Sequence, residues 1–383
     1  MYRIFLYIYL LLKPFYTMSG GGFQISDLFI PIAFIFFLIS KDSKNLFAKS
    51  IKGNGKLLIY TILANVINLL YFIMYLSPKL LISNLCLIFI FIGIICFENS
   101  IKNTNFLLNV NKILKLNIVI QLIIFLLGLG RYYCLVRYQG TFNDPNQFGF
   151  YILLSCSTIY ILNNKLSKKS TISNLLFMSI STFLIFQCAS TGMFLGISIF
   201  LGLYLVNLFI KMNKKNVGKY IIVAIILVLF VNLVNFIFPN NFFEKVTTSN
   251  IVERTKKKVN NFDTGEVSFA QERGLDKITM YPQYVIFGAG EGVYERFQTY
   301  YVNEMHSTFP SMLFYYGIIP FMFVVLWFLG KLKNIKFDYI VPTVAIIMES
   351  FTLLNQRQLL FWVFFILIYY FNNEYKDDER VDF

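Results

Sequence analysis

The sequence predicts an all-α integral membrane protein with about twelve transmembrane helices and one long outer-face loop, and three observations carry that expectation. Hydrophobic residues make up 57% of the 383-residue chain, aromatic residues 19% and charged residues only 14%. With a mean hydropathy of +0.63, the chain has too little polar surface to cover a soluble globule. Runs of about 17 to 23 apolar residues recur along it, the length an α-helix needs to cross a hydrocarbon core of about 30 Å. The runs do not alternate as the shorter strands of a membrane barrel would.

The runs fall at about residues 2–16, 25–40, 57–76, 80–97, 114–130, 147–163, 172–189, 191–210, 220–238, 308–330, 337–354 and 358–372. Lys13 and Pro14 interrupt the first, which has the look of a signal sequence, but no small-residue cleavage site precedes the second run, so a helix is expected. A tight turn at Ser190 to Gly192 separates the seventh and eighth. The polar segment 239–307 separates the ninth and tenth. No internal repeat, low-complexity linker or second soluble domain is visible. The chain therefore reads as a single polytopic membrane domain, residues 1–383, with an extracytoplasmic loop, 239–307, inserted in it.

The formal charge of +14 would suit a nucleic-acid binder, but its placement argues against one. Alternate loops hold the lysines: 41–56, 98–115, 164–170, 211–219 and 331–336. With Arg3, Lys376 and Arg380 they account for 21 of the 34 basic residues. The positive-inside rule assigns that side to the cytoplasm, so both termini are expected there. The short outer loops hold only Lys13, Lys79, Arg131, Arg137 and Arg357, and the long loop balances eight basic residues against nine acidic ones. The charge is mainly topological, with a modest attraction to anionic lipid. Cys86, Cys96, Cys156 and Cys188 fall inside runs and Cys134 just beyond one, without paired spacing, so neither a disulfide framework nor a zinc site is implied.

The outer segments hold most of the arginines, whereas the cytoplasmic loops use lysine. A guanidinium presents a planar fork suited to phosphate and carboxylate, while an ammonium suffices as a topogenic charge. In the first outer segment, Arg131, Arg137, Asn143, Asp144 and Asn146 lie among Tyr132, Tyr133, Tyr138 and Phe142. Aromatic faces beside amides and carboxylates suit sugar rings. Asp144 or Asn146 also offers a cap to the next helix. The long loop carries Arg273, the glycine-rich run Gly288 to Gly292 and the only histidine, His306. The glycine run lacks the strand and helix of a dinucleotide fold and is expected to serve a tight turn or close backbone approach. Glu349 lies inside the eleventh run near its outer end, and Arg357 is its expected ion-pair partner.

The order of these patches is similar to that of the O-antigen ligase and Wzy polymerase superfamily of lipid-linked polysaccharide enzymes. The matching elements are G-T-F-x-D-P-N-x-F-G at Gly140 to Gly149, then Arg273, Gly288 to Gly292 and His306, then Y-Y-G-I-I-P at Tyr315 to Pro320. The resemblance covers topology over the whole chain and residues only in these patches. Two departures stand out. The turn Ser190-Thr191-Gly192 lacks the arginine the family often has there, and Ser307 follows the histidine where asparagine is common.

The resemblance implies polymerisation of undecaprenyl-diphosphate-linked oligosaccharide repeat units by inverting glycosyl transfer at the outer face, with a GT-C-like architecture compatible with it. Donor and acceptor would both be lipid-linked glycans, without metal or other cofactor, for a capsule, an O-antigen or a similar envelope polysaccharide. A flippase and a chain-length regulator are the partners such a system implies. His306 would be the base that activates the acceptor hydroxyl, its neutral form favoured by the start of the following helix. Glu291, Glu295, Asp276 and Glu304 compete for that role. Arg273 would meet the diphosphate or the developing oxyanion, unless it pairs with Glu272 or Asp276. Arg131, Arg137, Asn143, Asp144, Asn146, Glu291, Arg296 and Arg357 complete the candidate contacts to diphosphate or sugar. Three alternatives stand beside this reading: a ligase that moves finished glycan to another acceptor, a flippase or transporter of lipid-linked sugars, and an O-acyltransferase. A transporter would be expected to show related halves and a polar transmembrane path; an acyltransferase would want its histidine open to the cytoplasm.

Overall fold

The computed structural model describes residues 1–18, 24–134, 136–166, 170–210, 256 and 268–378. It is mostly helical, 76%, as an all-α membrane protein requires. The chain forms α1 (Tyr2–Leu12), a 3-10 turn (Ile25–Leu28) leading into α2 (Phe29–Leu38), α3 (Ser43–Gly53), α4 (Gly55–Tyr75), α5 (Pro78–Ile101) and α6 (Thr104–Leu126). A hairpin of β1 (Arg131–Tyr133) and β2 (Arg137–Gly140) precedes α7 (Pro145–Leu166), α8 (Ser170–Gln187) and α9 (Thr191–Ile210). Three short helices follow, α10 (Phe269–Glu272), α11 (Asp276–Met280) and α12 (Gln283–Phe287), then α13 (Thr308–Tyr316), α14 (Ile318–Leu332), α15 (Phe337–Ser350) and α16 (Leu359–Asp378). Among the described residues, four helices are each long and apolar enough to cross a bilayer: α4, α5, α6 and α9.

Each expected apolar run within the described residues coincides with helix. The run at 220–238 and the basic cluster of Arg254 with Lys257 and Lys258 lie outside them. Four local features differ from the sequence expectation. The tenth run is two helices, broken at Gly317. α6 begins at Thr104, where the Asn103 side chain accepts from the Phe106 N–H at 2.9 Å; Lys112 and Lys115 dilute the apolar signal of its first turns. The lysine-rich segment 41–56 contains α3, which packs Leu46 and Phe47 against the core and leaves Lys44, Lys49 and Lys52 exposed. The segment after α6 is an antiparallel ribbon in which Tyr132 faces Tyr138 and Tyr133 faces Arg137.

The middle of the bundle is α5, α7 and α16. From Phe148 to Asn163 every residue of α7 is buried, as is every residue from Leu359 to Ile368. A helix apolar on all sides is stable only when other helices surround it. α4 is the opposite case, with Ile62, Leu70 and Ile73 exposed as a lipid-facing stripe. Buried polar side chains meet across helices: Asn68 donates to Asn84 Oδ1 (2.9 Å), Asn111 to Asn163 Oδ1 (2.9 Å), Asn117 to Tyr151 Oη (2.7 Å) and Asn207 to Asp338 Oδ1 (2.7 Å). Each bond gives an amide N–H group a partner in an apolar interior.

Two loops lock the ends of helices. Lys13 Nζ lies 2.8 Å from Asp27 Oδ1, both buried, joining the end of α1 to the turn before α2; Asp27 Oδ2 accepts from the Gln24 N–H (2.8 Å). The glycine-rich run caps α13. Its Ala289 N–H donates to the carbonyls of Phe314 and Tyr315 (3.0 Å each) and its Gly290 N–H to Tyr315 (2.8 Å). Those carbonyls would otherwise be orphaned by the break at Gly317. Gly288 and Gly317 both have left-handed φ, 81° and 77°. A Cβ on Gly317 would sit 2.6 Å from the Ile286 carbonyl oxygen and 2.8 Å from the Gly288 nitrogen. Two backbones touch here, and only glycine permits it.

Candidate functional site

His306 sits half-buried two residues before α13. Its N–H donates to the Arg273 carbonyl (3.0 Å), and the preceding Met305 N–H donates to Tyr315 Oη (3.0 Å). The imidazole Nε2 is 2.7 Å from the Tyr301 hydroxyl, with the donor set by which ring nitrogen carries the proton. Lys277 holds the same stretch from the other side, its ammonium bonded to the Tyr301 carbonyl. Burial is the largest influence on His306 and lowers its pKa; Glu304 pulls it up, Arg273 pushes it down, and weaker effects of Asp144 and Lys277 nearly follow suit in opposite directions. Burial thus favours the neutral imidazole. Burial likewise brings Lys277 down to about 8, against the pull of Asp276.

The second focus is Glu291, 2% exposed in the middle of the glycine-rich run. Its Oε1 accepts from Arg357 Nη2 (2.7 Å) and Nε (3.1 Å) and from Gln356 Nε2 (2.9 Å). Its Oε2 accepts from the Tyr316 hydroxyl, and its N–H donates to Asn68 Oδ1 (2.8 Å). Arg357 also reaches Glu304 Oε2 through Nη1 (3.0 Å) and Tyr294 Oη through Nη2 (2.9 Å). Burial disfavours its charge, but Glu291 and Glu304 more than offset that, so its pKa lies well above the usual guanidinium value.

Two cavities share the Arg357–Glu304 pair as a wall. One, about 60 Å³, is lined by Lys13, Asp27, Gln147 and Gln358. The other, about 140 Å³, is lined by Lys79, Gly292 and Tyr294. Lys79 makes an exposed ion pair with Glu295 (2.7 Å). Each lining cation therefore already has a carboxylate, and the pairs differ in burial: Glu291 is enclosed, whereas the Glu304 and Glu295 side chains are 32% and 63% exposed. An incoming anion can exchange with the latter two. Among the described residues, no group of three or more His, Cys, Asp or Glu side chains is arranged to hold a metal ion.

The segment from Arg131 to Asn146 is largely structural. Arg131 Nη1 donates to Asn143 Oδ1 (2.9 Å) at the surface. Arg137 bridges three elements, donating to Asn146 Oδ1 (2.8 Å) and the Cys188 carbonyl (3.2 Å). Asp144 caps α7, accepting from the Asn146 and Gln147 N–H groups (2.8 and 3.1 Å). Thr141 accepts from the Tyr16 N–H through its carbonyl (3.1 Å) and from Gln121 through its hydroxyl (2.8 Å), tying the segment to the turn after α1. The charge of Asp144 also acts weakly on both His306 and Tyr301.

Three expectations need correcting or refining. Arg357 does not pair with Glu349. The turn after α15 presents Thr352 Oγ1 (3.0 Å) and Asn355 Nδ2 (2.8 Å) to Glu349 and carries Arg357 to Glu291. Arg273 does not rest only on its own short helix: Nη1 donates to the Thr352 carbonyl (2.6 Å), putting it between that turn and His306. Arg296 lies among the rings of Phe297, Tyr71, Tyr75 and Tyr284, 4.6 to 5.6 Å from their centroids, and donates to the Ala289 carbonyl. That enclosure makes it a clamp on the glycine-rich run. Sequence reasoning missed Tyr301, Tyr294, Gln356 and the Lys13–Asp27 pair as site residues. Only Lys13 gave a signal, as a charge inside an apolar run.

No family model, curated protein or solved structure matches this chain.

Since the chain has one histidine, NMR of a histidine-labelled sample gives a single imidazole to titrate. Its midpoint should fall below the ordinary value of about 6.5. Glu304→Gln should lower it further and Arg273→Gln should raise it; a midpoint at or above the ordinary value would remove the free base. In denaturant unfolding in micelles, Glu291→Ala should cost on the order of 3 kcal/mol, because Arg357 and Tyr316 lose their buried acceptor. Adding Arg357→Met should cost less than the two single changes summed.

Proposed function

We propose that the chain is a membrane glycosyltransferase that polymerises lipid-linked oligosaccharide repeat units at the outer face of a bacterial plasma membrane. The supporting observation is the convergence at one end of the bundle of an imidazole whose neutral form burial favours, Arg273, and a pair of cavities walled by Arg357. In this reading about twelve helices span the bilayer, the lysine-rich loops face the cytoplasm and the segment 239–307 lies outside.

The donor diphosphate occupies the cavities, taking the place of Glu304 on Arg357 Nη1 with Lys13 beside it and Arg273 toward the sugar. The acceptor hydroxyl takes the place of Tyr301 at His306 Nε2. His306 accepts the hydroxyl proton as the acceptor oxygen bonds the anomeric carbon from the face opposite the leaving group. The bond from that carbon to the diphosphate breaks, its electron pair stays on the diphosphate, and the guanidinium groups hold the developing charge. The lipid diphosphate leaves, and the imidazolium returns its proton to solvent. The same chemistry serves a ligase, which differs only in acceptor.

In a producing strain, deletion of the gene should leave single repeat units on their carrier, and His306→Ala should lower the rate of chain extension about 10²- to 10⁴-fold. Full-length polymer lacking its final attachment would assign the ligase reaction instead. Normal polymer in a strain carrying both His306→Ala and Arg273→Ala would overturn the catalytic assignment. Reporter fusions at Asn103 and Asn303 should report opposite sides of the membrane, and a shared side would overturn the orientation.

A further inference from the structure

The opposite end of the bundle carries a cavity that the proposed transfer does not use. The junction of α3 and α4 falls at Asn54, whose amide donates to Glu98 Oε2 (2.8 Å) and accepts from Trp327 Nε1 (3.0 Å). Nearby, Asn99 donates to Ser50 Oγ (2.9 Å). These bonds fix the end of α3 against α5 and α14. Beside them α3, α5 and α16 enclose about 350 Å³, more than either cavity at Arg357. Exposed lysines 49, 52 and 102 line it, with Glu98 as the one acidic residue in the lining. Ile366 and the rings of Tyr369 and Tyr370 supply an apolar wall. Behind that wall the buried Lys331 ammonium stands 4.4 Å from the Tyr369 ring centroid. The 24-residue α5, about 36 Å long, runs from this cavity to Lys79 at the His306 end, so the two sites lie at opposite ends of one helix long enough to cross a bilayer.

We infer that this cavity binds the headgroup of an anionic phospholipid, its phosphate among Lys49, Lys52 and Lys102 and its glycerol and first acyl carbons against Ile366 and the tyrosine rings. Three features converge on that ligand. The lining has a net positive charge, so it favours an anion. α3 is amphipathic and lies at the end of the bundle, where headgroups are. The wall is apolar, so a bare phosphate would leave it wet while a lipid covers it. The volume falls in the range of small-molecule pockets, and basic pockets between transmembrane helices are established headgroup sites in general.

The test reconstitutes the full chain in nanodiscs of equal phosphatidylglycerol and phosphatidylcholine and measures retained lipid by native mass spectrometry. The unaltered protein should retain phosphatidylglycerol preferentially. The exposed-lysine variant Lys49→Gln/Lys52→Gln/Lys102→Gln should lose that preference by about tenfold or more. A control, Lys41→Gln/Lys44→Gln/Lys333→Gln, alters lysines outside the cavity lining and should keep it, and millimolar inorganic phosphate should not displace the lipid. Undiminished preference in the first variant overturns the site. An equal loss in the control reduces it to general surface charge. Displacement by inorganic phosphate assigns it to a free anion instead.

Discussion

The Glu291 carboxylate is the contact on which the His306 end of the molecule depends. A buried carboxylate costs several kcal/mol unless it is paired and hydrogen-bonded, and in a bundle this apolar few partners are at hand. Satisfying it draws Tyr316 of α13 and Gln356 with Arg357 of the turn after α15 to the glycine-rich run, while the Glu291 backbone N–H donates to Asn68 of α4. Arg357, once committed to Glu291, has one edge of its guanidinium left for Tyr294 and Glu304. The charge of Glu304 in turn acts on His306. Tyr315 and Tyr316 divide the work between neighbours, one holding Met305 beside the histidine and the other holding Glu291. A line of charge runs from the core of the bundle to the imidazole.

Much of the scaffold was legible because the bilayer leaves a backbone few options. Apolar runs become helices, and each run within the described residues coincides with helix, with α4, α5, α6 and α9 long enough to cross. The local chemistry of Asp144 as a cap and of the glycine-rich run as a backbone turn was also legible, since neighbouring residues decide both. Partnerships between distant residues were not. Arg357 and Glu349 are close in sequence, but Glu291 is the partner, 66 residues away. An arginine in a polar loop reads as a ligand for anions; only folding shows that Arg296 sits on Tyr71 and Tyr75 of α4. The break at Gly317 was hidden because apolar residues continue on both sides of it.

The two ends of the bundle handle charge differently. At the His306 end Arg357 and Lys79 are held by carboxylates at graded depth, so an anion gains access by exchange with the more exposed acids and leaves the buried one in place. At the Asn54 end lysines outnumber acids around an open cavity. The first arrangement suits a ligand that must leave after each cycle, and the second a resident one.

The Lys13–Asp27 pair bears on how the chain enters the bilayer. α1 has 11 residues, about 16 Å of helix, and by itself falls short of a crossing. Each charge alone would add several kcal/mol to the insertion of its own segment, whereas the pair, joined at 2.8 Å, largely cancels that penalty. α1 and α2 are therefore favoured to enter an apolar environment together, as a hairpin closed by the ion pair.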